Sequence, residues 1–173
     1  MSPHDGLPTA EKEPAEPDPF FLKALALVEQ QGRGTAVDVA CGRGRHALEL
    51  ARRGWRVEAW DLSTVALEQL RAAAARAQLH VDTRALELTA SMLPPDRQFD
   101  LVVVVNFLDR ELLAAMRRLV AGHLILATYT SDWPGEHPSP RWRLRRGELA
   151  AGLPGFQTRL YEEQGGRAGL LCR

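Results

Sequence analysis

Apolar and polar positions along this 173-residue chain alternate between strand-like and helix-like spacing. Phe20, Leu22, Leu25, Ala26 and Val28 recur at helical intervals behind Asp18, a capping residue, and Pro19, a first helical residue; Gly32 closes the segment. TAVDVA (35–40) is a β-branched apolar run and predicts a strand. The glycine turn CGRGR leads into HALELARR, a helix over about 45–53 ended by Gly54. WRVEAWD predicts a second strand, Ser63 caps a helix reaching about Ala77, and a third strand falls within 79–86. Beyond Pro94 and Pro95, FDLVVVVNF is apolar on both faces, as a central parallel strand should be. Asp109 is placed to cap a helix over 110–120, and Gly122 precedes a strand HLILATYT. A proline-rich loop, SDWPGEHPSPRW, and a short helix from Arg145 to Ala151 follow. FQTRLYEE and RAGLLCR then read as two strands joined at Gly165–Gly166, a connection that favours an antiparallel hairpin.

The sum is a single-domain, Rossmann-like, doubly wound α/β sheet, mostly parallel with a C-terminal antiparallel hairpin. Ligands of such sheets bind at the carboxyl ends of the strands where the strand order reverses, which is where the turn after the first strand lies. Pro3, Pro8, Pro14 and Pro17, set among acids, predict a disordered tail over residues 1–17, leaving 18–173 as the domain.

Composition narrows the partners. Twenty-two basic residues balance twenty-two acidic ones, so no global field favours nucleic acid. No apolar run approaches the roughly 20 residues that span a bilayer, and no signal-peptide core is present. Cys41 and Cys172 show neither zinc nor disulfide spacing, so a cytoplasmic, metal-free protein is expected. Oligomeric state is not encoded in any pattern.

The chemistry concentrates between Val37 and Asp61. Gly42 and Gly44 free the backbone to turn sharply and let a ligand approach it, and the next helix presents free N–H groups and a positive dipole end. Asp61 ends the second strand, where a carboxylate can accept both hydrogen bonds of a ribose diol. Ala47 stands at the third position of the dinucleotide fingerprint, where alanine is tolerated. Asp38 separates the two nucleoside readings. A negative charge just before the turn suits a cationic amino-acid ligand and opposes a pyrophosphate, which argues against a nicotinamide cofactor.

VDVACGRGRHALELARRGWRVEAWDLS resembles the first two motifs of class I S-adenosylmethionine-dependent methyltransferases, and within them the small tellurite-resistance-type branch. The resemblance continues through FDLVVVVNFLDRELLAAMRRLVAGHLILATYT to GEHPSPRWRLRRGEL. It implies that Asp38 and the backbone of Ala40, Cys41, Gly42 and Gly44 meet the amino-acid part of the cofactor. It also implies Asp61 on the ribose, Leu62 against adenine, and Asn106 with Phe107 on the methyl-bearing side. Leu86 and Glu87 fall in the matching segment after the third strand; because Ala85 stands where relatives carry an acid, Glu87 would have to receive the adenine amino group or that contact is missing. Asp109-Arg110 replaces a His-Arg pair, Ala127 replaces a glutamate, and residues 1–17 lack the aromatic and basic segment that relatives fold over the cofactor.

Methyl transfer needs positioning more than proton transfer, so no catalytic residue is fixed by sequence. Asp109, Tyr129 and His137 fall on the loops that rim the site. Trp133 and Trp142 are candidates for covering a substrate. His46 is expected to pack or cap, and the run Arg141, Arg143, Arg145, Arg146 to form a solvated face. The expected function is methyl transfer to a small-molecule acceptor, since the short chain leaves no room for a separate substrate domain. The departures at Ala85 and Ala127 leave open a non-catalytic, cofactor-binding module.

Overall fold

The computed structural model describes residues 15–173. The tail expected over 1–17 therefore falls mostly outside the described residues. α1 (Pro19–Glu29) begins as anticipated, with the Asp18 side chain accepting hydrogen bonds from Phe20 and Phe21 N–H. β1 (Thr35–Val39), α2 (Arg45–Arg52), β2 (Arg56–Asp61) and α3 (Thr64–Arg76) follow, the last capped by Ser63, which accepts from Ala66 N–H. β3 (Asp82–Ala85), β4 (Phe99–Val105), α4 (Arg110–Met116), β5 (Val120–Tyr129), β6 (Thr158–Gln164) and β7 (Arg167–Cys172) complete the chain.

The seven strands run in the order β3-β2-β1-β4-β5-β7-β6. All pairings are parallel up to β5; β7 is antiparallel to both β5 and β6. This is the doubly wound sheet with a closing hairpin that the sequence predicts, and the strand order reverses between β1 and β4. The continuous apolar run of β4 is explained by its two neighbours. Leu101, Val103 and Val105 join the core beneath α1, α2 and α3, whereas Val102 and Val104 join the core on the α4 side. Trp55 and Trp60 are both buried and act in packing.

Four boundaries differ from expectation. The helix expected over 110–120 ends at Met116 and tightens into a 3-10 turn over Arg117–Leu119. β5 starts at Val120, so Gly122 lies inside the strand. A Cβ there would sit 2.4 Å from the Asp100 carbonyl oxygen, so the close approach of β4 requires glycine. The segment 145–151 forms turns instead of a helix. Glu148 accepts from the Arg145 N–H and from Arg110, and Gly147 adopts φ 72°, which a helix does not allow. Phe156 and Gln157 precede β6 instead of opening it. The hairpin turn itself is as expected, with Gly165 at φ 61° and Gly166 at φ 77°, the pair of positive values a two-residue turn requires.

Candidate functional site

β1 ends in three consecutive devices. The Asp38 side chain points under α2, where Oδ2 accepts the Ala47 N–H at 3.1 Å; the residue is 1% exposed. Burial pushes its carboxyl up to about 7. The Ala47 hydrogen bond and the Arg45 charge pull it down, and Asp61 adds to the rise. Ala40 then turns left-handed (φ 57°), followed by Gly42 (φ 54°) and Gly44 (φ 77°). A Cβ on Gly44 would lie 2.3 Å from Leu70 Cδ1, so this glycine lets α3 pack against the turn. A Cβ on Gly42 would meet nothing within 4 Å. Its face is open, where a ligand can come against the backbone.

Asp61 locks the turn from the neighbouring strand. Its Oδ2 accepts the Gly42 N–H at 2.7 Å and its Oδ1 the Ser63 N–H at 2.8 Å. A carboxylate has about four lone-pair sites, so two remain for a diol. Leu86 N–H donates to the Asp61 carbonyl at 3.0 Å and brings the segment after β3 alongside. Leu62 stands 68% exposed beside it. Leu86 is half-buried against the α4-side core, and Glu87 is exposed.

A cavity of about 610 Å³ opens over this turn, lined by Ala40 to His46, Val105 and Asn106. It gathers Ala40, Cys41, Gly42, Gly44 and Asn106 from the predicted set. Asp38 lies buried below, while Asp61, Leu62, Leu86 and Glu87 form a separate shoulder. Phe107 packs half-buried on the α4-side core. Asn106 takes a left-handed backbone (φ 61°), and its Oδ1 accepts from Arg167 Nη2 at 2.8 Å. Burial pushes the Cys41 thiol far up, which leaves it a neutral packing group.

Of the three rim residues Asp109, Tyr129 and His137, only Asp109 has its side-chain acceptor engaged by a hydrogen bond among the described residues. Asp109 Oδ1 caps α4 by accepting Leu112 N–H. The Tyr129 ring lies between Trp133 (4.8 Å) and the Arg167 guanidinium (4.5 Å). The His137 carbonyl accepts the Trp133 indole N–H. Trp133 is thus part of its own loop, while Trp142 is 43% exposed beneath the Arg141 guanidinium. His46 packs as expected, edge-on to Phe21 at 4.7 Å, and its Nε2 accepts the Asp18 N–H at 3.2 Å. Burial first, and then the Arg45 charge, push its imidazole down to about 3.

Two residues carry more than sequence reasoning gave them. Arg143 is no part of a solvated face; it donates to the carbonyls of Trp133, Gly135 and Pro138 and holds the loop after β5 together. Arg167 was not singled out. It donates to both Asp18 and Asn106, and the β5–β7 pairing sets it opposite Tyr129. Among the described residues there is no cluster of three or more histidine, cysteine or acidic side chains able to hold a metal ion. Among the same residues no helix is long and apolar enough to cross a membrane.

A sequence model described as a methyltransferase domain matches residues 36–123, more than half of the chain, and takes in the turn after β1, Asp61 and Asn106. The chain belongs to the methyltransferase domain family. Its fold is similar to TehB from Haemophilus influenzae, with a TM-score of 0.72 at 19% identity over 87% of this chain. The chain spans 61% of that structure's length. It is also similar to a SAM-dependent methyltransferase from Aquifex aeolicus (TM-score 0.66, 18% identity, 90% of this chain and 93% of that one). A third similar structure is the magnesium protoporphyrin IX methyltransferase of Synechocystis PCC 6803 with bound SAH (TM-score 0.70, 16% identity, 88% and 80%). These structural similarities show the class I methyltransferase fold. No curated protein sequence matches the chain.

The residues present fit S-adenosylmethionine, the methyl donor of such enzymes. The open face at Gly42 admits a ligand against the backbone, Asp61 keeps lone pairs for hydroxyl groups, and the acid under the turn disfavours a pyrophosphate in its place.

Proposed function

We propose that this methyltransferase holds S-adenosylmethionine over the turn Ala40 to Gly44 and transfers its methyl group to a small-molecule acceptor. When bound, the cofactor would supply a methyl group on a positively charged sulfur, activated for in-line attack at the methyl carbon with the neutral thioether as leaving group. In this reading Asp38 sits under the α2 turn beneath the cofactor's amino group, whose positive charge would draw its raised carboxyl back toward the ionised form. Asp61 takes the ribose hydroxyls with its remaining lone pairs, and Leu62, Leu86 and Glu87 border the adenine. Asn106 and Phe107 border the methyl-bearing side. His46, with its lone pair engaged, and Asp109, engaged as a cap, leave positioning as the chain's contribution. The observation that carries the proposal is the Asp61–Gly42 hydrogen bond under an open glycine face, which joins the nucleoside and amino-acid halves of one site.

Calorimetric titration with S-adenosylhomocysteine and NADH tests it. The thioether should bind and NADH should not. Asp61→Ala should weaken binding by about 1.5–3 kcal/mol, the scale of hydrogen bonds to a charged group. Binding of NADH alone, or an unchanged affinity in the variant, would refute the assignment. Turnover with a panel of small acceptors then tests the transfer itself.

A further inference from the structure

A second cavity, of about 180 Å³, lies on the α1 face of the sheet where the N-terminus of α1 meets β5, β6 and β7. Its apolar side is built from Phe20, Ala127 and Gly169. Ala127 and Gly169 are register partners on β5 and β7, so the sheet has almost no side-chain bulk there. A Cβ on Gly169 would lie 2.3 Å from the Phe20 ring, which sits directly over it. Sequence reasoning met this place only as a loss, an alanine where relatives carry a glutamate. In the fold, that loss leaves room.

The polar side is charged and balanced. Asp18, Glu162 and Arg167 line the cavity, and Lys23 pairs with Glu162. Two carboxylates therefore face two cations. Asp18 is already paired, with Oδ1 accepting from the Phe20 and Phe21 N–H groups and Oδ2 from Arg167 Nη2 at 2.6 Å, so its charge is compensated inside the protein. Glu162 meets Lys23 through Oε1, which leaves Oε2 without a partner among the described residues. Arg167 uses only Nη2, for Asp18 and Asn106, so Nε and Nη1 have no partner there either. The groups left for a ligand are thus one anionic acceptor and a set of cationic donors. A singly charged molecule would satisfy one and stand uncompensated against the other, whereas an ammonium and a carboxylate on one small skeleton satisfy both. The volume is below the roughly 300–1,000 Å³ typical of larger ligand sites. The same Arg167 touches Asn106, which lines the cofactor cavity, so one guanidinium stands between the two spaces.

We infer that this cavity is the acceptor subsite of the methyltransferase, and that it holds the ammonium and carboxylate of a small α-amino-acid-like zwitterion between Glu162 and Arg167. The inference rests on the cofactor reading above and names the acceptor class for that site.

Calorimetry with serine and alanine as probes tests it, with propylamine and propionate as single-charge controls, each with and without saturating S-adenosylhomocysteine. The zwitterions should bind under both conditions and the controls at least ~10-fold more weakly, the scale of one lost charge-assisted hydrogen bond. Glu162→Gln should weaken serine binding ~10-fold, and Ala127→Val should abolish it by filling the floor. Both variants should keep wild-type affinity for S-adenosylhomocysteine, which also shows that they fold. The inference is overturned by equal binding of the controls, by unchanged serine binding in Glu162→Gln, or by loss of serine binding when the thioether saturates the protein. The last outcome would place serine in the cofactor's own amino-acid position. Failure of S-adenosylhomocysteine to bind wild type would sink the cofactor reading instead, and the titrations without it would still decide the zwitterion site.

Discussion

The turn after β1 and the loop after β5 both leave the carboxyl end of the sheet, yet they are held in opposite ways. The first is short and is held by its own backbone. Positive φ angles at Ala40, Gly42 and Gly44, the Cys41 carbonyl accepting the Gly44 N–H, and one carboxylate from β2 fix it completely. The second runs from Ser131 past Trp142 with little regular structure and is held largely by side chains, above all Arg143, which reaches three carbonyls, and the Trp133 indole, which reaches a fourth. A backbone-held turn presents an unchanging surface, which suits a cofactor of fixed shape. A loop tied through side chains can differ between relatives without disturbing the sheet, which suits acceptor variety.

The largest expected effect breaks the first region. Gly44→Val would combine left-handed strain with a Cβ inside Leu70, and should cost about 3 kcal/mol or more in urea unfolding. Gly42→Ala carries the same strain with open space around it. It should lose only about 1 kcal/mol of stability while S-adenosylhomocysteine affinity falls. If the two variants lose equal stability, the division of labour between the glycines is wrong.

The second effect is a pair of opposed titrations under the same helix. Asp38, raised from 3.8 to about 7, keeps a proton in the folded state that the unfolded chain has lost. Between about pH 4 and 7 it therefore makes stability fall as pH rises. His46, lowered from 6.5 to about 3, refuses a proton that the unfolded chain accepts. Between about pH 3 and 6.5 it makes stability rise with pH. The wild type should show a muted slope where the windows overlap. Asp38→Asn should unmask a rise approaching ~1.4 kcal/mol per pH unit, and His46→Gln, which keeps an acceptor for Asp18 N–H, a fall of similar size. Chemical denaturation from pH 4 to 7 measures both, and parallel profiles in the two variants would remove the explanation.

The smallest effect lies in the second region. Arg143→Met should cost about 1–2 kcal/mol, because its hydrogen bonds to three carbonyls are partly solvent-exposed. It should speed proteolytic cleavage within 131–143 and leave cofactor affinity unchanged. A drop in cofactor affinity would mean that the two regions are not independent.

The same contrast governs what could be read from the sequence. The β1 turn is legible because its constraints are local: an acid, glycines at fixed spacing and an acid ending the next strand each announce a backbone need. The β4 run is legible for a similar reason, since burial on both faces leaves no polar position. Arg143 and Arg167 are not legible, because a long side chain that reaches carbonyls or partners far along the chain has no spacing to betray it. Gly122 misled the reading because a glycine inside a strand looks like one that ends a loop until the approach of Asp100 is seen. The segment 145–151 has helical residues, but Glu148 is drawn away to Arg110 and to the Arg145 N–H.

The strand order carries a consequence for how the molecule assembles. β7 lies between β5 and β6, although β6 comes first along the chain. β6 therefore has no place at the edge until β7 is in the sheet, and the expected order is entry of the two together as a hairpin around Gly165–Gly166. Pairing β7 with β5 closes a long loop, a slow and late event, whereas the β1–β2 half closes over short separations. A partly folded chain would thus own the cofactor turn before it owns Arg167, and the two cavities would come into being in sequence.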